Sequence, residues 1–165
     1  MPRPVSNQDE LWERALQLLA RRAHARVELE RKLRRYHPEP EWVAAVLSRL
    51  EERGLVDDQR FARDTADALL RGGRSGPARI SSRLRGAGVS AAETGSAMGE
   101  LEVDWVERCR SVAMTRLRPG TLADPKERAR LVRFLAGRGF QSAIIFRVLR
   151  ELGDSGDGLD AIEPD

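Results

Sequence analysis

The chain has 165 residues, of which 41% are apolar and 33% are charged, a composition typical of one folded domain rather than of a disordered chain. Aromatic residues make up only 5%, which argues against a β-sandwich or a β-barrel. The longest apolar run, Trp42 to Leu47, is too short to span a membrane, and the single cysteine excludes an internal disulfide. These features predict a cytoplasmic helical protein without a membrane partner.

The formal charge of +3 conceals an acidic C-terminal segment. Residues 153–165 carry five acidic side chains and no basic one, and removing these five acids raises the formal charge to +8. We predict that this segment is a disordered tail. A basic body favours an anionic partner such as nucleic acid, and the well-solvated surface of an ordinary helical protein is the alternative interpretation.

Three apolar stripes with helical spacing occupy the first part of the chain. Their members are Leu11, Ala15, Leu18, Leu19 and Ala23 in the first, Val27, Leu29 and Leu33 in the second, and Trp42, Val43, Val46, Leu47 and Leu50 in the third. The second stripe ends near Tyr36. Gly54 follows the third stripe and is predicted to end its helix, because glycine suits the position just after a helix.

The pattern then recurs at an offset of 51 residues, as in Leu33, Leu84 and Leu135, and a shorter offset of 47 relates the first helices, as in Asp57 and Asp104. The four extra residues fall in the loop Arg118–Ala123. We predict an all-α protein of three tandem three-helix repeats at 8–53, 57–101 and 104–152, followed by the acidic tail at 153–165. Because one repeat buries little core alone, we expect the repeats to stack into an elongated, curved body.

Helix-start signals agree with these boundaries. Asp57 is a predicted N-cap, with Val56 and Phe61 at the spacing of a hydrophobic staple. Further N-caps are predicted at Ser90, Asp104 and Asp124.

No catalytic constellation is evident, and we predict that the chain is not an enzyme and uses no cofactor or metal. Neither lysine, Lys32 or Lys126, belongs to a phosphate-binding loop motif. His24 and His37 lack cysteine or histidine neighbours at metal-ligand spacing, so we interpret both as surface turn residues. Cys109 takes the place of an alanine in the preceding repeat, which favours a small core residue over a reactive thiol.

Basic side chains concentrate on the second predicted helix of each repeat. The candidate binding residues are Arg26, Arg31, Lys32, Arg34 and Arg35 in the first repeat, Arg79, Arg83 and Arg85 in the second, and Arg128, Arg130 and Arg133 in the third. Arg31 and Arg35 are four residues apart and are predicted to share a helix face. Equivalent positions in stacked repeats line up, so these residues predict a stripe that follows a phosphate backbone. A charged face interleaved with Glu28 and Glu30 is the alternative.

Three segments resemble the bacterial regulatory protein family RecX. They are ALQLLARRAHARVELERKL at 15–33, LEERGLVDDQRFA at 50–62 and GPARISSRLRGAGV at 76–89, and the resemblance extends over about 11–152. The chain departs from the family pattern at Ala25, where a serine N-cap is usual. Loss of such a cap costs about 0.5–2 kcal/mol.

The resemblance implies an all-helical, non-enzymatic modulator of RecA in homologous recombination, DNA repair and the SOS response. Such proteins bind along the groove of the RecA–DNA filament and inhibit its ATP hydrolysis, strand exchange and coprotease activity. The resemblance also implies binding to single-stranded DNA, with double-stranded DNA as a second candidate ligand. We expect the protein to be a monomer. Two other classes stay open: a helix-turn-helix transcriptional regulator, and a helical scaffold with a protein-only partner.

Overall fold

The computed structural model describes Val5, residues 7–37 and residues 39–157. Within these residues the chain forms nine α-helices and no β-strand, which confirms the predicted all-α class. The helices are α1 (Gln8–Arg21), α2 (Arg26–Leu33), α3 (Pro40–Glu52), α4 (Asp58–Arg71), α5 (Pro77–Ala87), α6 (Ala91–Gly99), α7 (Trp105–Met114), α8 (Pro125–Gly137) and α9 (Ser142–Asp157). In this described part, no helix has the length and apolar character needed to cross a bilayer.

The chain divides into two compact units, and the division passes through α4 and α5. Unit 1 contains the described residues up to Asp67 together with Ser81–Glu100. Unit 2 contains Ala68–Ile80 together with the described residues from Leu101 onwards. The division into three repeats, inferred from sequence offsets, stays a prediction.

The core of unit 1 is built from the predicted stripes of α1, α2 and α3. Leu11, Leu29, Leu33, Leu47 and Leu50 are its large, fully buried side chains. Two stripe members differ from expectation, since Ala23 and Val27 are exposed. Ala23 follows the end of α1, and Val27 lies in the first turn of α2. Both residues of the predicted staple, Val56 and Phe61, are buried.

The core of unit 2 is formed by α7, α8 and α9. Cys109 is completely buried there, and burial raises the pKa of its thiol to about 11. Because reactivity requires the thiolate, this cysteine is a packing residue, as its repeat position predicted. The last helix continues to Asp157, and Leu152 is its last residue that packs on this core. The predicted acidic tail is therefore helical over its first five residues, and its remaining part, residues 158–165, lies outside the described residues.

In each unit, the start of one helix packs against a glycine that follows a later helix. In unit 1, a Cβ placed on Gly88 would lie 2.5 Å from the Cβ of Val27. In unit 2, a Cβ on Gly139 would overlap the backbone nitrogen of Arg79, and the Ala78 N–H donates to the Gly139 carbonyl at 3.1 Å. Gly139 stands 51 residues after Gly88, and Ala78, which donates to it, stands 51 residues after Val27. Both glycines have positive φ, +94° and +89°.

The uncapped start of α2 is completed by a residue from α4. Ala25 provides no side-chain hydrogen bond, and the Arg26 N–H donates instead to Asp58 Oδ1 at 2.7 Å. The neighbouring Asp57 accepts from the Arg60 N–H at 2.9 Å and so caps its own helix, as predicted. The two adjacent aspartates therefore cap two different helices.

At the corresponding start of α5, no such cap is required. Pro77 stands 51 residues after Arg26 and has no N–H to satisfy. Trp105 stands 47 residues after Asp58, so the carboxylate is absent at the position that would have supplied it. The donor and its acceptor are lost together.

We predict that Gly88→Ala lowers the free energy of unfolding more than Gly54→Ala. Both glycines have positive φ, but a Cβ on Gly54 would meet nothing within 4 Å, whereas one on Gly88 would collide with Val27. Overpacking of this kind costs about 1–3 kcal/mol beyond the shared backbone strain. Urea unfolding of the two variants measures the difference, and equal losses would show that the contact with Val27 is not maintained in solution.

We predict that Asp58→Ala destabilises the protein by about 1 kcal/mol, the usual cost of losing a helix cap. Asp58→Asn should cost less, because its amide oxygen can still accept from the Arg26 N–H. Asp64→Ala is the matched control, since Asp64 is exposed on the same helix and has no hydrogen-bond or ion-pair partner among the described residues. Equal unfolding free energies for the two alanine variants would contradict the assignment.

Candidate functional site

The eleven basic candidates separate into two groups by their surroundings. Four form ion pairs with glutamates: Arg26, Lys32, Arg34 and Arg130. The other seven are exposed and have no carboxylate oxygen within 4.0 Å among the described residues: Arg31, Arg35, Arg79, Arg83, Arg85, Arg128 and Arg133. An exposed, uncompensated guanidinium is available for a phosphate or carboxylate of a partner.

Glu30 compensates two of the paired arginines. Its carboxylate lies 2.7 Å from Arg34 Nη2 and 3.7 Å from Arg26 Nη1, and Arg26 Nε also lies 2.7 Å from Glu51 Oε1. For these residues, a solvated face on which arginines alternate with glutamates is the better description. This is the alternative interpretation that the sequence left open. Their charge attracts a distant anion less than the charge of an unpaired arginine does.

His24 is only 4% exposed, so its interpretation as a surface turn residue was wrong. Its Nε2 lies 2.6 Å from Lys32 Nζ and its Nδ1 lies 2.9 Å from the Arg22 carbonyl oxygen. An ammonium group can only donate, so Nε2 accepts and Nδ1–H donates to the carbonyl. Burial lowers the pKa of His24, which favours this neutral form. The Lys32 ammonium group is thereby bound to a side chain of its own unit.

Glu28 completes this cluster. Its carboxylate accepts from Arg22 Nη1 at 3.1 Å and lies 3.3 Å from Lys32 Nζ. The other histidine, His37, is half-buried and stacks on the Trp42 ring with centroids 4.2 Å apart. Both histidines therefore support the fold of unit 1.

The predicted common helix face of Arg31 and Arg35 is also wrong, because α2 ends at Leu33. The Arg35 N–H donates to the Lys32 carbonyl at 3.2 Å, and the Tyr36 N–H donates to the Leu33 carbonyl at 2.8 Å, each only three residues back. The backbone tightens into a turn here, so a spacing of four residues no longer implies one face. Arg31 and Arg35 are instead exposed cations at and just after the C-terminal end of α2, where the helix dipole favours positive charge.

Each unit contains its own set of uncompensated arginines. Unit 1 has Arg31, Arg35, Arg83 and Arg85, and unit 2 has Arg79, Arg128 and Arg133. The Nη1 of Arg79 donates to the Gly137 carbonyl at 3.3 Å, which holds this side chain at the C-terminal end of α8. A continuous stripe through all repeats stays a prediction.

Unit 2 also contains a groove that the sequence analysis did not identify. It has a volume of about 1050 Å³ and lies among the end of α7, the loop before α8, and α9. Arg118, Arg128 and Arg150 line it together with Met114 and Phe146. The only sequence signal was the loop insertion at 118–123. Among the described residues, no cluster of histidine, cysteine or acidic side chains could hold a metal ion.

We predict that Glu28→Gln destabilises the protein at neutral pH and that this effect fades in acid. Burial alone would raise the pKa of Glu28, but Arg22, His24 and Lys32 outweigh it and lower the pKa from 4.5 to about 2. Ionised Glu28 therefore contributes stability above about pH 4.5, and this contribution is lost as the pH falls towards 2. Melting temperatures from pH 7 to pH 2 measure it against the exposed control Glu13→Gln; a pH-independent difference would contradict the prediction.

Sequence models of the RecX family match two parts of the chain. The model of the first three-helix domain matches residues 12–50, and that of the third three-helix domain matches residues 102–149. The chain is 39% identical over 146 residues to the regulatory protein RecX of Pseudomonas fluorescens, covering 88% of this chain and 90% of that relative. It is 41% identical over 145 residues to the regulatory protein RecX of Pseudomonas putida, covering 85% and 90%.

Solved structures show the same fold. The crystal structure of RecX from Lactobacillus salivarius aligns with a TM-score of 0.77 at 21% sequence identity, covering 88% of this chain and 96% of that one. A second crystal structure, of regulatory protein RecX, aligns with a TM-score of 0.75 over 86% of this chain. The two Pseudomonas proteins share about 40% sequence identity with this chain over most of their length, which is stronger evidence than a shared fold. This identity shows that the chain belongs to the RecX family of regulatory proteins.

Proposed function

We propose that the chain regulates RecA by binding to the RecA–single-stranded DNA filament and lowering its ATPase, strand-exchange and coprotease activities. Membership of the RecX family over 85–88% of the chain is the observation that carries this proposal. The exposed arginines without carboxylate partners in both units are compatible with it, since a nucleoprotein filament presents phosphates and acidic side chains. In this proposal the protein is not an enzyme and acts in the cytoplasm as a monomer.

The proposed mechanism is a shift between filament states. A regulator that contributes no reacting group changes the activity of its target only by binding one state more tightly than another. We propose that the seven unpaired arginines make the anionic contacts, on DNA phosphates or on an acidic surface of RecA. The four ion-paired residues contribute less, because a contact with the partner would first have to break an existing pair.

The steady-state ATPase rate of RecA on single-stranded DNA tests the function directly. We expect substoichiometric amounts of the protein to lower this rate and to shorten the filaments seen by electron microscopy. An unchanged rate and unchanged filament length at a molar ratio of one to one would overturn the proposal. Tight binding to one duplex sequence, without any effect on RecA, would favour the helix-turn-helix regulator instead.

We predict that the double variant Arg31→Ala/Arg35→Ala binds single-stranded DNA and RecA filaments more weakly than the unmodified protein. The slope of log affinity against log salt should become shallower by roughly 0.7 for each lost phosphate contact. Exposed substitutions change stability by less than about 0.5 kcal/mol, so the variant should remain folded. Fluorescence anisotropy at three salt concentrations measures both quantities.

The matched control is Arg34→Ala, which removes an arginine from the same turn that is already paired with Glu30. We expect its affinity and its salt slope to stay close to those of the unmodified protein. If the control and the double variant behave alike, the distinction between paired and unpaired arginines does not determine binding. Arg83→Ala/Arg85→Ala, with the ion-paired Arg63→Ala as its control, repeats the test elsewhere in unit 1.

A further inference from the structure

The groove of unit 2 exposes apolar surface to solvent. Met114 at the end of α7 is 55% exposed and Phe146 on α9 is 53% exposed, and both line the groove. They are two of the four large apolar side chains that are exposed among the described residues. Apolar surface of this kind is stabilised when another apolar group covers it.

The edges of the groove are positively charged. Arg118, Arg128 and Arg150 are exposed, and none has a carboxylate oxygen within 4.0 Å in the part of the chain that the structure describes. Asp154 is the one acidic residue among the described lining residues. A complementary occupant therefore carries apolar side chains together with two or more carboxylates.

One wall of the groove is fixed by local hydrogen bonds. The Arg118 N–H donates to Thr121 Oγ1 at 3.0 Å, and the Thr121 N–H donates back to the Arg118 carbonyl at 3.0 Å. The Asp124 N–H donates to the Gly120 carbonyl at 3.0 Å and closes the loop onto the start of α8. A wall that is already ordered loses little conformational entropy when an occupant binds.

We propose that this groove binds the chain's own acidic segment, residues 158–165. The segment reads GLDAIEPD and carries three carboxylates, at Asp160, Glu163 and Asp165, with no basic residue. Leu159 and Ile162 supply the apolar side chains. The composition of the segment thus matches both the charge and the apolar surface of the groove.

The position of the segment also fits this occupant. Helix α9 lines the groove up to Asp154 and is described up to Asp157, so residues 158–165 continue the chain from a helix that lines the groove. Eight residues extend over at most about 26–29 Å. The distance along α9 from Asp157 back to Phe146 is about 17 Å at the usual helical rise.

Covalent linkage strengthens this contact. A short tether gives the segment a millimolar effective concentration at the groove, so a weak interaction is sufficient for occupancy. When bound, the segment covers Met114 and Phe146 and compensates the three arginines. It would thereby withhold Arg128 from any other anionic ligand until that ligand displaced it.

Disulfide formation in the full chain tests this proposal without RecA or DNA, so its outcome is independent of the proposed function. The double variant Met114→Cys/Ile162→Cys places one thiol in the groove and one in the segment. Ala136→Cys/Ile162→Cys is the control, with the first thiol on the exposed face of α8 outside the groove. Cys109 does not interfere, because it is buried and its thiol is protonated.

We expect the groove pair to form an intramolecular disulfide at least about tenfold faster than the control pair under mild oxidation. Adding Asp160→Asn, Glu163→Gln and Asp165→Asn, or raising the salt to about 1 M, should remove most of this advantage. Equal rates for the two pairs would overturn the proposal. Predominant disulfide-linked dimers, whose yield rises with protein concentration, would overturn it in favour of a second copy as the occupant.

A labelled peptide with the sequence of residues 158–165 provides a second measurement that needs no new cysteine. We expect it to bind the Asp160→Asn/Glu163→Gln/Asp165→Asn variant several-fold more tightly than the unmodified chain, whose groove is occupied. Introducing Arg118→Glu into that variant should abolish the binding. Equal affinity for the variant and the unmodified chain would overturn the proposal.

Discussion

The start of α2 is held by residues that come much later in the chain, and the arrangement of unit 1 depends on this constraint. Asp58 satisfies the first N–H of the helix, and the backbone at Gly88 packs against its first turn. A helix of eight residues is too short to be stable alone, so its position depends on these contacts together with the burial of Leu29 and Leu33 in the core of unit 1. The exposed arginines at its far end depend on the same contacts for their position.

The local signals of the sequence were sufficient to predict the helical class and several helix ends. Asp57, Ser90, Asp104 and Asp124 each accept a hydrogen bond from a backbone N–H two or three residues ahead, so a short sequence window contains both partners. The cap of α2 has its acceptor 32 residues away and no such window contains it. The sequence predicted the N-cap role of Asp57 but no role for the adjacent Asp58, and only the tertiary structure shows what Asp58 caps.

The candidate site was harder to predict, because the value of a basic residue depends on its neighbours. Arg34 and Arg35 are adjacent in sequence, yet one is paired with Glu30 and the other has no carboxylate partner among the described residues. The burial of His24 depends on how the chain bends between α1 and α2, and that bend also brings Lys32 to its ring. The loop insertion at 118–123 marked an irregularity, but not that three arginines border a groove beside it.

The two equivalent helix starts respond differently to protons. In unit 1 the start of α2 relies on the Asp58 carboxylate, with the ionised Glu28 in the same first turn of the helix. In unit 2 the start of α5 has Pro77 in the first position, and the contact with Gly139 uses backbone groups that do not titrate. Acid removes the charge of Glu28, whose pKa is lowered, whereas burial raises the pKa of Asp58, so protonation of Asp58 does not weaken this start. The first turn of α5 contains no acidic residue and loses no such charge. The helix start in unit 1 therefore contains carboxylates that titrate, whereas the equivalent start in unit 2 contains none.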